Sequence, residues 1–315
     1  MNKKAIIFGI KGYFLSIEER SFLFKEKPWG IILFSRNIKN IKQLKKLVSE
    51  IKGLFNDANF PILIDQEGGV VSRLNKITDL SIFSQSYFSK LYKKNKDIFY
   101  VTYKIYIDTV SDILKTVGIN INTVPVLDVQ STRSNKLIGT RSFSANPAKI
   151  IKLGNVCIDL YKKNKIATVV KHIPGHGASQ TDTHFEKSII NDNKKKLMKK
   201  DFKTFKECKS LFAMTAHTIY SAYDSLNPAT HSTLIIDKII RKHINFKGIL
   251  ISDDISMKAL KYNLESNAIK ALKAGCNLVL HCNGSIKEMK KLAKVIPKID
   301  KFTQEKTSQF RNFLM

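Results

Sequence analysis

The sequence predicts an α/β protein built as a single (β/α)₈ barrel of the TIM type, some of its strands irregular. Three observations predict it: eight short apolar runs, helical periodicity between them, and unusual polar residues placed immediately after most of the runs. The runs fall at residues 5–10, 31–34, 61–64, 121–127, 167–170, 211–215, 249–251 and 277–280, each bounded by turn residues. Short continuous apolar runs are the pattern of parallel strands buried on both faces.

The intervening stretches read as helices. Ile41, Leu44, Leu47, Val48 and Ile51 form one apolar face. The stretch 97–117 ends at Gly118 and the stretch 258–274 at Gly275, where a left-handed cap suits glycine. Ser16 with Glu19, and Ser285 with Glu288, have capping-box spacing at helix starts. An open doubly wound sheet shares this local pattern. However, Gly9-Ile10-Lys11-Gly12 after the first run lacks the G-x-G-x-x-G turn that a dinucleotide-binding sheet needs. No Pro-, Gly- or Ser-rich linker divides the chain, so one barrel domain is expected over residues 1–300, with 301–315 a loose C-terminal tail.

With 315 residues and 43% apolar content, the chain is long enough for one such barrel. Its 54 Lys+Arg against 26 Asp+Glu give a formal charge of +28, which suggests a polyanionic partner. Seven of those basic residues are Arg and 47 are Lys, spread along the chain instead of gathered in one stripe. That is a compositional bias towards lysine, and no nucleic-acid partner is expected. Where arginine persists, a planar bidentate donor is needed that lysine does not imitate. This singles out Arg36, Arg73, Arg133 and Arg141. Cys157, Cys208, Cys276 and Cys282 show neither metal-site pairing nor the density of a disulfide scaffold, and read as reduced thiols. The apolar run at 5–10 is too short for a signal peptide, and no run approaches the roughly 18 residues of a membrane span. A cytoplasmic monomer without a membrane partner is expected.

The polar residues after the runs carry the functional reading. Ser35-Arg36-Asn37 follows the second run, Asp65-Gln66-Glu67 the third, Asp128 the fourth and Lys171-His172 the fifth. His217 follows the sixth, Asp253-Asp254 the seventh and His281 the eighth. In a barrel these ends converge on the mouth that carries the chemistry.

The segment Lys171-His172-Ile173-Pro174-Gly175-His176-Gly177-Ala178-Ser179-Gln180-Thr181-Asp182-Thr183-His184 is the densest signal. His172 and His176 are separated by Pro-Gly and share no helical face, and no His-x-His pair follows the first run, so no metal and no cofactor are expected. Asp182 and His184, two residues apart, have the makings of a carboxylate–imidazole dyad suited to general acid/base work. Asp253-Asp254 places a carboxylate where it can attack an anomeric carbon. Successive residues leaving a strand point to opposite sides, so one of the two faces the substrate and the spacing does not say which. Asp65 can accept sugar hydroxyls, with Arg73 donating to them or orienting the aspartate.

Together these segments resemble the family 3 glycoside hydrolases, in particular the single-domain bacterial β-N-acetylglucosaminidases that recycle peptidoglycan. The resemblance runs from about residue 5 to 290. It includes Ile31-Ile32-Leu33-Phe34-Ser35-Arg36-Asn37, Asp65-Gln66-Glu67-Gly68-Gly69, Gly139-Thr140-Arg141-Ser142-Phe143 and the Lys171-to-His184 segment. It continues through Met214-Thr215-Ala216-His217, Ser252-Asp253-Asp254-Ile255-Ser256-Met257 and Ala274-Gly275-Cys276.

The resemblance implies a retaining exo-β-N-acetylglucosaminidase acting on (anhydro)muropeptide fragments. It implies that Asp253 is the nucleophile and His184, assisted by Asp182, the acid/base. It also implies that Asp65, Arg73, Arg141, Lys171 and His172 bind the N-acetylglucosamine ring, with His217 beside it. Larger members take an acid/base carboxylate from a second domain, for which this chain has no room. Val70, Thr140 and Asn277 depart from the family pattern, and residues 75–89 lack its proline-containing stretch. A β-glucosidase or glycoside phosphorylase on the same scaffold, a basic nucleic-acid-binding protein and a silent sugar-binding relative are the alternatives.

Overall fold

The computed structural model describes residues 2–131, 138–179 and 188–315. Ten strands occur among them: β1 (Lys4–Gly9), β2 (Pro28–Leu33), β3 (Ile62–Ile64), β4 (Ile121–Asn122), β5 (Ala167–Ile173), β6 (Ser188–Ile190), β7 (Phe212–Thr215), β8 (Thr218–Tyr220), β9 (Ile249–Asp254) and β10 (Leu278–His281). Eight close into a barrel in the order β1-β10-β9-β7-β5-β4-β3-β2, with every pairing parallel. This is the (β/α)₈ barrel expected from the eight apolar runs. The runs are apolar throughout because both strand faces are covered: all six residues of β2 and five of the six in β1 are buried.

β4 is shorter than its apolar run. Pro125 has no N–H to give a ladder, and beyond Asn122 the pairing resumes only as a bridge from Val126 to Lys171. β6 and β8 form a small parallel sheet of their own, pairing Ser188 with Thr218, Ile189 with Ile219 and Ile190 with Tyr220. These three-residue strands are not among the eight apolar runs.

Helices lie between the barrel strands. In Ile41–Leu54, Leu44, Leu47, Val48 and Ile51 are buried, and Asn40 caps the first turn by accepting from the Gln43 N–H. Fully burying such side chains contributes about 1.5–3 kcal/mol each. Ser16 and Glu19 form a complete capping box. Ser285 accepts from the Glu288 N–H, but the Glu288 carboxylate turns to His281 Nε2 (2.8 Å) and Asn283 Nδ2 (2.6 Å) instead of closing a box. Gly118 (φ 88°) and Gly275 (φ 117°) end their helices in the left-handed conformation. The helix before Gly275 spans Leu264–Ala274, starting later than expected because Asn263 caps it through the Ser266 N–H. A wide π-helical segment, Ile235–His243, buries Ile235, Ile236, Ile239 and Ile240.

The C-terminal residues are not a loose tail. Lys301–Leu314 is a helix capped by Asp300. Thr307 Oγ1 accepts from Trp29 Nε1 at 2.8 Å, and Phe310 is buried against Trp29 and Phe212. Trp29 and Phe212 stand at the N-terminal ends of β2 and β7, so this helix packs at the end of the barrel opposite the polar strand ends.

Candidate active site

The polar residues after β3, β4, β5, β7 and β9 meet in one cavity at the C-terminal end of the barrel. Asp65, Arg73, Arg141, Lys171, His172, His217 and Asp253 all line it, with Thr123, His176, Asp254, Phe34 and Cys282 among the remaining walls.

Asp65 leaves β3 between two cations. Its Oδ1 contacts Lys171 Nζ and accepts from Thr123 Oγ1 at 2.7 Å, while Oδ2 accepts from Arg73 Nη2 at 3.1 Å. Burial opposes ionisation here, but the Lys171 and Arg73 charges outweigh it and hold the Asp65 carboxyl well below the usual carboxylate range. Two residues on, alternation brings Glu67 beneath the same cluster. It takes a bidentate fork from Arg141, Nε to Oε2 at 2.8 Å and Nη2 to Oε1 at 2.7 Å. Lys171 Nζ reaches the same Oε1 at 2.7 Å. Lys171, almost fully buried, thus bridges two carboxylates, and Glu67 ties down Arg141. Arg73 Nε is buried with no hydrogen-bond partner among the described residues.

Asp128 is fully buried and organises His172 at the end of β5 and His176 just beyond it. Its Oδ2 accepts from His172 Nδ1 at 2.7 Å, and its Oδ1 accepts from the backbone N–H of His176 at 2.7 Å. With Nδ1 spent on Asp128, His172 keeps Nε2 as its second polar atom. His176 is wholly enclosed, and burial brings its pKa down to about 4 despite the Asp128 charge, so the ring is neutral at physiological pH.

The two acids at the end of β9 have different environments. Asp254 is engaged by Ser256, whose N–H and Oγ donate at 3.1 and 2.8 Å, and by the more distant Cys282 N–H at 3.4 Å. Asp253 accepts the Asp254 N–H at 2.8 Å. Burial raises its pKa, but His217 and His172, the Asp254 N–H and Lys171 together leave it below the usual carboxylate value. His217 Nε2 donates to the Asp254 carbonyl at 3.0 Å, and burial holds its pKa down. An ionised carboxylate therefore stands at the cavity beside neutral and cationic groups. This arrangement can attack an electron-poor carbon and can hold a polyhydroxylated ring.

A model of the family described as Glycosyl hydrolase family 3 N terminal domain matches residues 12–310. The chain belongs to glycoside hydrolase family 3. It is 32% identical over 321 residues to the Beta-hexosaminidase of Photobacterium profundum, covering 98% of this chain and 92% of that one. To the Beta-hexosaminidase of Idiomarina loihiensis it is 33% identical over 286 residues, covering 88% and 83%. Among solved structures, NagZ from Neisseria gonorrhoeae in complex with N-trifluoroacetyl-D-glucosamine has a TM-score of 0.89 at 27% identity, covering 98% of this chain and 90% of that one.

For this glycoside hydrolase, Asp65, Lys171, His172, His217 and Asp253 converge from the strand ends expected from the sequence, whereas His281 pairs with Glu288 and does not line the cavity. Asp182 and His184 lie outside the described residues, as does Arg133. Arg36 serves the backbone, donating to the Ile10 carbonyl at 2.9 Å and contacting the Cys282 carbonyl. The sequence reading placed Glu67 and Asp128 at strand ends and His176 in the histidine-rich segment but gave none of them a role, and it did not mention Thr123. Two of them carried signals: Glu67 lies two residues from Asp65 on the same side of the chain, and Asp128 follows the fourth apolar run. Asn277 accepts from Leu250 N at 2.8 Å and Arg241 Nη2 at 2.7 Å, away from the cavity lining. Val70 and Thr140 do not line the cavity either. No helix among the described residues is long and apolar enough to cross a membrane.

Proposed function

We propose that this glycoside hydrolase is a retaining exo-β-N-acetylglucosaminidase that releases N-acetylglucosamine from (anhydro)muropeptide fragments in cell-wall recycling. In this reading it works in the cytoplasm as a monomer. The observation that carries the mechanism is the contrast at the end of β9: Asp253 is ionised at the cavity, whereas Asp254 is engaged by Ser256. The relatives named Beta-hexosaminidase and the NagZ complex with an N-acylglucosamine support the sugar.

Asp253 attacks the anomeric carbon while protonated His184, assisted by Asp182, gives its proton to the departing glycosidic oxygen. The product of this step is a covalent glycosyl-enzyme. Neutral His184 then takes a proton from water as the water displaces Asp253, so configuration is retained. Asp65, Arg73, Arg141, Lys171 and His172 bind the ring, with His217 alongside. Asp65 accepts ring hydroxyls, and the His172 Nε2, left over once Nδ1 is held by Asp128, is available to the ring.

The test is turnover of chromogenic β-N-acetylglucosaminide and β-glucoside, each with and without phosphate. The reading expects preference for the acetylated sugar and no dependence on phosphate; preference for the glucoside, or a phosphate requirement, would replace it. Asp253→Ala should lose turnover by at least about 10⁴-fold, and near-wild-type activity would refute the nucleophile.

A further inference from the structure

A chain of buried side chains leads from the cavity to both flanks of the segment that carries His184. His176, in the cavity wall, has Nδ1 2.6 Å from Thr218 Oγ1. Thr218 Oγ1 lies 3.0 Å from Ser188 Oγ, and Ser188 Oγ donates to Ser179 Oγ at 2.6 Å. Ser179, Ser188 and Thr218 are all essentially inaccessible to solvent. In the sequence Ser179 precedes His184 and Ser188 follows it, one on each side within about five residues.

Hydroxyl protons give the chain a direction. Each hydroxyl has one proton, and Ser188 spends its own on Ser179. Thr218 must then donate to Ser188, and His176 must donate from Nδ1 to Thr218. His176 is thereby fixed as the Nδ1–H tautomer, with Nε2 left as an acceptor.

The backbone holds the same two flanks. Ser188 opens β6 and pairs with Thr218 in β8. On the other side Gly177 packs so closely on Val129 that an added Cβ would lie 1.9 Å from the Val129 carbonyl oxygen.

We propose that Ser179, Ser188 and Thr218 are positioning residues that clamp the two ends of the His184-bearing segment to the cavity wall through His176. They thereby set the reach of the acid/base towards the scissile bond. The inference rests on the proposed role of His184. Proton delivery depends steeply on placement, and a misplacement of about 1 Å can cost about 10²-fold in rate.

The experiment compares two substrates by kcat/KM, which reports the first chemical step. One is an N-acetylglucosaminyl disaccharide, whose alkoxide leaves only with a proton. The other is the 2,4-dinitrophenyl β-N-acetylglucosaminide, whose phenolate leaves without one. Ser188→Ala and Thr218→Val should lose at least about tenfold more activity on the disaccharide than on the dinitrophenyl glycoside, and Thr218→Ser, which keeps the hydroxyl, should recover most of the difference. Equal losses on both substrates, or a fall in thermal midpoint without this contrast, would overturn the clamp. His184→Ala is the control and should show the contrast in full. If His184→Ala shows it and the clamp variants do not, only the clamp falls; if His184→Ala lacks it, the acid/base assignment falls and takes the clamp with it.

Discussion

Glu67→Gln tests whether the buried carboxylate is the keystone of the cationic wall. Glu67 does not line the cavity; it lies behind Arg141 and Lys171, receiving the Arg141 fork at 2.8 and 2.7 Å and Lys171 Nζ at 2.7 Å. The amide has nearly the same shape but no charge, and its NH₂ would face a donor. The Glu67 side chain is only 2% exposed, so water does not reach the place of the lost acceptor. Breaking one partner of a buried ion pair costs about 3–5 kcal/mol. With unfolding entropy near 2.1 cal/mol/K per residue, a chain of 315 residues loses about 1.5 °C of Tm per kcal/mol. The expected fall is therefore about 5–8 °C. Calorimetry or thermal denaturation by circular dichroism measures it, alongside KM for the amino-sugar substrate. KM should rise, because freed Arg141 and Lys171 side chains no longer present a fixed surface. A Tm within about 1 °C of wild type and an unchanged KM would refute the keystone role.

Other residues make comparably specific claims. Asp201 is buried against Gly175, and burial with the charges of Asp128 and Asp192 pushes its pKa up to about 7 from an ordinary 3.8. The folded state then binds a proton that the unfolded state has released, so this residue lowers stability as pH rises from about 4 to about 7. Asp201→Asn should remove that slope, and denaturant midpoints that fall equally with pH in both proteins would contradict it. Phe310→Ala should cost about 3–5 kcal/mol in a denaturation experiment while leaving kcat/KM unchanged at a temperature where the variant is folded. A loss under about 1 kcal/mol would mean that the C-terminal helix is not part of the core. Gly177→Ala should cost about 10²-fold in kcat/KM, since the added methyl collides with the Val129 backbone; wild-type kinetics would contradict the close contact.

The barrel was legible because parallel strands covered on both faces must be apolar along their whole length, and a closed barrel gathers the residues after each strand at one end. The strand-end residues Asp65, Lys171, His172, His217 and Asp253 were accordingly found as a set. β6 and β8 were hidden by their brevity: three residues are too few for a period, and Ser188 and Thr218 are buried by hydrogen bonding instead of apolarity. The last helix was hidden for a related reason. Its inward face carries Thr303 and Thr307 beside Phe310, so two of three inward positions read as polar. Glu67 and Asp128 lay in view, but neither lines the cavity, and nothing in a linear pattern says that a carboxylate serves another side chain instead of a ligand.

The charges around the cavity are distributed unlike those of the chain as a whole. The protein carries +28, yet among the described residues Arg73, Arg141 and Lys171 in the wall face an equal number of carboxylates in Asp65, Asp253 and Asp254. The excess positive potential therefore belongs to the exterior, where ions screen it over about 8 Å at physiological ionic strength. Added salt should slow the capture of an anionic sugar fragment and leave almost untouched the turnover of a neutral glycoside. The lysine-rich surface and the balanced cavity thus act on separate steps, encounter and chemistry.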